Sequence, residues 1–274
     1  MKSNNQTNKF FFGFFSVCLL VIFTNFHFLT SRYPTRDSLY YHFNSFEYMA
    51  KLLKESGSLP NIFPAEGGVP IYYSLMSFGL SSVHKLVGFA FYFLTNQAYL
   101  SWKLSFLFGL VAYSTGIFLV GYLHTKSILK SVPVATLASL IGIGNAFHQE
   151  QVLYTATLIP YLYLLLFKCL TQPTKISLAL LFSFLGVLSF THFPQIQVVI
   201  LLLLFFVLLP IANLSAIVHN FRKHFLLSLI AFLSTSIFTV SFFWARKNIV
   251  YPHRIAETYT NILQEPILDK NIFF

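Results

Sequence analysis

The chain has 274 residues, of which 56% are hydrophobic, 19% aromatic and only 9% charged, with a mean hydropathy of +0.68. Soluble domains carry about 25% charged residues, so the polar side chains here are too few to coat a water-soluble globule, and the composition is that of a polytopic membrane protein. The formal charge of +10 does not point to nucleic acid, because Lys and Arg gather in short turns between apolar runs, where they set topology and meet anionic lipid.

The first apolar run covers residues 10–29, behind Lys2 and Lys9. Its charge pattern is that of a signal peptide, but it is long enough to cross a bilayer and no small-residue cleavage motif follows before Arg32. It therefore reads as an uncleaved first helix. Residues 31–75 form the only long polar segment and hold four of the eight acids, Asp37, Glu47, Glu55 and Glu66. Within it Leu39, Phe43, Phe46, Ala50 and Leu53 recur at helical spacing, opposite Asn44, Glu47, Lys51 and Lys54. That pattern predicts an amphipathic helix in the membrane interface, with an i,i+4 pair of Glu47 and Lys51 on its wet side and Gly57 and Pro60 at its end. The following PNIFPAEGGVP reads as irregular and turn-rich. Residues 71–95 are apolar again, but Gly79, Ser81, Ser82, His84 and Lys85 interrupt them. This suits an interfacial or re-entrant segment better than a lipid-facing span.

Further runs at 98–123, 131–147, 152–170, 176–190, 196–216 and 225–244 bring the expected spans to about seven. With the loop 31–97 left out of the membrane, the basic turns 124–130, 168–175 and 219–224 share the side of Lys2 and Lys9. The turns 148–151 and 191–195 carry no Lys or Arg. This is the positive-inside pattern, and it puts the N-terminus in the cytoplasm. Arg246, Lys247 and Arg254 run against it. The expected architecture is an all-α, polytopic helical bundle over residues 1–250, with juxtamembrane amphipathic helices in a large first outer loop. A short extracytoplasmic tail, 251–274, follows, and the location is a bacterial cytoplasmic membrane. Cys18 and Cys169 lie in apolar stretches and read as small hydrophobes. There is no P-loop, no H-E-x-x-H and no Cys/His cluster with zinc spacing.

The order of a first helix, an Asp opening an outer loop (RDSLYYHF), an aromatic amphipathic helix, a GSLP turn at 57–60, a GGVPIY segment at 67–72 and many later spans resembles membrane glycosyltransferases of the GT-C class. It is similar in particular to bacterial YfhO-like proteins and to the membrane family labelled 6-pyruvoyl-tetrahydropterin synthase-related. The THFPQ turn at 191–195 looks like the His-Pro-Gln-type turn of those families. The resemblance covers roughly residues 10–200 and rests on motif order. It implies a module of about seven helices with two juxtamembrane helices, in which an outer-loop acid acts on a sugar carried by a polyprenyl phosphate. The usual further helices or extracytoplasmic domain do not follow here, so the expectations include a minimal enzyme, a split one completed by a second membrane chain, and a non-catalytic remnant.

On this resemblance Asp37 is the first catalytic candidate. A carboxylate there can take the acceptor hydroxyl's proton, or hold a divalent cation (Mg or Mn) on the donor phosphate. Read from the residues alone it is a helix N-cap, and the two roles are compatible. Glu150, at the edge of a span, is the second candidate; its alternative is a solvated turn acid. His148, His192 and Gln195 occupy the outer turns, either as sugar or phosphate ligands or simply as interfacial residues. Arg32, Arg36 and Arg246 suit a lipid-linked phosphate, or else snorkel to headgroups. Glu66 adjoins glycines that let backbone approach a ligand, although a plain turn explains it better. The expected activity is sugar transfer from a polyprenyl-phosphate donor on the extracytoplasmic face. The competing class is a non-catalytic carrier or lipid-binding protein. Transporters place such acids near the bilayer midplane, whereas these cluster at one face.

Overall fold

A computed structural model describes residues 2–26, 43–57, 62–63, 69–70, 83–140, 150–188 and 194–247. They are helical throughout, apart from short connections and a two-residue antiparallel pairing of β1 (Ile62–Phe63) with β2 (Val69–Pro70), in register Ile62 to Pro70 and Phe63 to Val69. The helices are α1 (Lys2–Thr24), α2 (Asn44–Ser56), α3 (Val83–Thr95), α4 (Ala98–Thr125), α5 (Ile128–Ala138), α6 (Glu150–Thr171), α7 (Lys175–Leu188), α8 (Pro194–Leu208), α9 (Leu214–Lys223) and α10 (Phe225–Lys247). Among the described residues two are long and apolar enough to cross a membrane, within α1 and α4, or three if the bent pair α8–α9 is one span.

α1 begins at Lys2, eight residues before the apolar run, because hydropathy marks the part of a helix that sits in lipid and not the helix itself. Its buried positions Gly13, Val17, Val21 and Asn25 follow at every fourth residue. Phe11, Phe12, Phe15, Leu19 and Phe23 are exposed around the rest of its girth. A helix apolar all round with one narrow packed stripe suits a lipid surround. Asn25 is buried and donates from Nδ2 to the Val21 carbonyl at 2.9 Å.

α4 is the hub, packed against α1, α2, α3, α5 and α6. At 1.5 Å per residue its 28 residues span about 42 Å, more than the ~30 Å of a hydrocarbon core. Small residues line its buried side, Ser101, Ser105, Gly109, Ser114 and Gly116 among them. That lets neighbouring backbones approach.

Side-chain contacts fix the directions. Phe10 meets Phe118 and Tyr122 with ring centres 5.7 and 5.2 Å apart, so α1 and α4 are antiparallel. α6 runs parallel to α4: Tyr161 donates to the Ala112 carbonyl at 2.6 Å, and further along, Tyr163 Oη lies 2.6 Å from His124 Nε2. The backbone N–H of Asn213 then donates to the Leu170 carbonyl at 2.7 Å. Lys9, Lys126, Lys130, Lys168 and Lys175 therefore gather at one end of the bundle, which carries no Asp or Glu of the described helices around it.

One expected span is divided. The apolar run 196–216 is α8, a 3-10 turn at Leu209–Ile211, and the start of α9, which is bent by 116° from α8. Pro210 supplies no backbone N–H, and Asn213 accepts at Oδ1 from the N–H of Ala216 at 3.1 Å to cap the new helix. Two cores result. Val17, Val21, Phe46, Met49, Ala50, Phe89, Trp102, Phe106, Phe118 and Ala135 unite α1 to α5, while Leu162, Leu166, Leu170 and Leu208 hold α6 to α8.

Candidate functional site

The amphipathic helix read from the first loop is α2. Phe46, Met49 and Ala50 are buried on its inner face. On its wet face Lys51 Nζ lies 2.7 Å from Glu47 Oε1, and that hydrogen bond holds the Lys51 ammonium above its ordinary range. Gly57 ends the helix with φ of 68°, its N–H donating to the Leu53 carbonyl. This left-handed C-cap is glycine's usual place.

α3 and α4 form a tight hairpin around Asn96 and Gln97. Asn96 has φ of 57°, a conformation that asparagine tolerates better than most residues. Lys54 of α2 donates to Asn96 Oδ1 at 3.2 Å and lies over the Tyr92 ring, so α2 is pinned across the hairpin. The three helices approach closely at Gly88. A Cβ there would lie 2.7 Å from Ser105 Cβ and 2.9 Å from Phe46 Cε2.

Inside this junction sit two lysines. Lys85 of α3 is 1% exposed and Lys103 of α4 is 2% exposed. Lys85 Nζ is 5.2 Å from the centre of the Phe46 ring and 6.0 Å from that of Trp102. Lys103 Nζ is 4.3 Å from the Tyr99 ring centre. Tyr99 and Trp102 are stacked, and Phe43 meets both edge-on. Both lysines make interactions besides these. Cation–π contacts are worth about 0.5–2 kcal/mol each, whereas removing an ammonium from water costs several kcal/mol. Aromatic contacts alone therefore do not balance the burial, and the further interactions of the two lysines carry the rest. Ionisable residues buried at a membrane span mark ligand or ion sites by default.

Asp37, Arg32, Arg36, Glu66, His148 and His192 lie outside the described residues. Of the other candidates only backbone positions are described: Glu150 is the first residue of α6, Gln195 the second of α8, and Arg246 the last but one of α10. Thr157 Oγ1 is 3.5 Å from the Gly109 carbonyl. Carried back two turns along the parallel pair, this register sets the start of α6 level with Trp102 and Lys103. Glu150 thus begins its helix at the height of the lysine junction. Among the described residues no three His, Cys, Asp or Glu side chains converge as metal ligands do.

Sequence reading treated Lys85 only as an interruption and passed over Lys103. The available signal was a lysine next to Trp102 inside an otherwise uncharged run, where an ionisable side chain in a membrane helix is costly without a partner. No family model, curated protein or solved structure matches the chain.

Proposed function

We propose that the protein is a membrane glycosyltransferase that takes a sugar from a polyprenyl-phosphate donor on the extracytoplasmic face. In this reading the seven apolar runs that contain α1, α4, α5, α6, α7, α8 and α10 each cross the bilayer, and the basic end faces the cytoplasm. The observation that carries it is the pair of buried lysines, Lys85 and Lys103, at the end of α4 where the long polar loop joins the bundle. A lipid-linked phosphate is an anion delivered at membrane depth, the kind of group such a junction suits.

The donor phosphate lies against the two ammonium groups while the lipid tail stays between helices. Asp37 removes the acceptor hydroxyl's proton as that oxygen attacks the anomeric carbon. The carbon–oxygen bond to the phosphate breaks, and the leaving polyprenyl phosphate keeps the electron pair. Its new charge is stabilised by Lys85 and Lys103. The described part of the junction does not fit a metal, since ammonium groups offer no lone pair, and no step here runs through one. Glu150, at the same height, orients the acceptor. Arg32, Arg36 and Arg246, with His148, His192, Gln195 and Glu66, belong to the rim of the same face.

The test is sugar transfer from a radiolabelled polyprenyl-phosphate donor in membranes holding the wild-type chain or Asp37→Asn. Transfer that the substitution abolishes supports the enzyme. A well-folded wild type that transfers nothing contradicts it and favours a carrier, a lipid-binding protein or a module that works through a second membrane chain.

A further inference from the structure

At the opposite end of the molecule α9 was not foreseen as a helix. It displays Leu214, Ile217, Val218 and Phe221 along one stripe, with His219, Arg222 and Lys223 on the other face, exposed. Its 116° bend from α8 sets it nearer perpendicular than parallel to that helix, as an interfacial helix lies. Beneath it, between α7 and α10, is a half-open groove of about 120 Å³ lined by Phe182, Leu185, Phe221, Phe225, Leu229 and Phe232. The lining is wholly apolar.

We propose that this is a binding site for one anionic glycerophospholipid, with a few methylenes of one acyl chain in the groove and the phosphate on Arg222 and Lys223. Phe221 lines the groove, and Arg222 and Lys223 stand on the polar face of the same last turn of α9, so a lipid with its chain in the groove carries its phosphate round the helix to that face. Charge complementarity selects the headgroup. From residue 151 to residue 256 the chain contains no Asp or Glu, and Lys168 and Lys175 add positive charge at the same end. Basic pockets beside membrane helices bind anionic headgroups in this way, at about 1 kcal/mol per cation. The site needs neither the lysine junction nor sugar transfer, and the two proposals fail separately.

The test is native mass spectrometry of the full chain in neutral detergent, titrated with phosphatidylglycerol, phosphatidylcholine or glycerol phosphate. One phosphatidylglycerol should be retained in preference to phosphatidylcholine, with no retention of glycerol phosphate. The double substitution Arg222→Gln with Lys223→Gln should weaken retention roughly tenfold or more. Leu229→Phe, which fills the groove and keeps the charges, should weaken it too. Equal retention of the two lipids, or retention indifferent to both variants, overturns the site. Retention of glycerol phosphate makes it a free-phosphate site instead. A Phe225→Cys chain that crosslinks to a second copy gives the groove to a homodimer.

Discussion

The two ends of the bundle handle positive charge in opposite ways. Where α2 and α3 fold over α4, Lys85 and Lys103 are withdrawn from solvent and surrounded by Phe46, Tyr99 and Trp102. Around α9, Arg222 and Lys223 stay exposed, and the buried polar groups nearby are the small hydroxyls Ser177 and Ser228. Exposed cations are the default for a membrane protein's rim, because snorkelling costs little. Buried ones persist only where something repays their desolvation. The contrast is what sets the proposed ligand site at the first end and the proposed lipid site at the second.

The largest effect that can break this contrast is at Asp37. Asp37→Asn keeps the size of the side chain but not a base, and transfer should fall by 10²-fold or more, the usual scale for a general base, while thermal stability is kept. Next are Lys85→Met and Lys103→Met. Both lysines make further interactions within the protein, and removing one member of a buried pair is destabilising, so each should weaken donor binding about tenfold or more and also lower the melting temperature. A lowered melting temperature with donor binding unchanged in the folded protein would make the lysines structural only.

Packing is the next lever. Gly88→Val drives a branched side chain into Ser105 and Phe46 and should destabilise by roughly 1–3 kcal/mol, loosening the junction and its donor affinity together. Gly57→Ala places a Cβ at φ of 68° and should cost about 1 kcal/mol, read as lower protection of the end of α2 in hydrogen exchange. The smallest effect is that of Glu47→Gln. Its pair with Lys51 is solvated, so the melting temperature should scarcely move. Because Glu47 raises the Lys51 pKa, the pair's small contribution is complete below the unfolded-state pKa and fades as pH rises through the folded one.

α2 was legible because its apolar positions keep a 3.6 period and Gly57 stops it. The pairing of Glu47 with Lys51 follows from spacing alone. The common end of the basic turns was legible from short-loop charge, and the directions of α1, α4 and α6 agree with it. α9 was not, since Leu209, Ile211, Ala212 and Leu214 continue the apolar run past Pro210 and hide the break from any hydropathy window. The lysine junction was illegible for another reason. The contacts of Lys85 with Phe46 and Trp102 depend on α2 and α3 folding back over α4, a tertiary event that no periodicity within one run records. Asp37 lies outside the described residues, so its standing still rests on the resemblance.

The most direct test of the lysine junction compares binding of a radiolabelled polyprenyl-phosphate sugar to the wild-type chain, to Lys85→Met with Lys103→Met, and to Lys130→Met, which removes an exposed cation from the basic end. The junction variant should lose donor affinity by tenfold or more while Lys130→Met binds as the wild type does. Equal affinity in all three chains would contradict a phosphate site at Lys85 and Lys103.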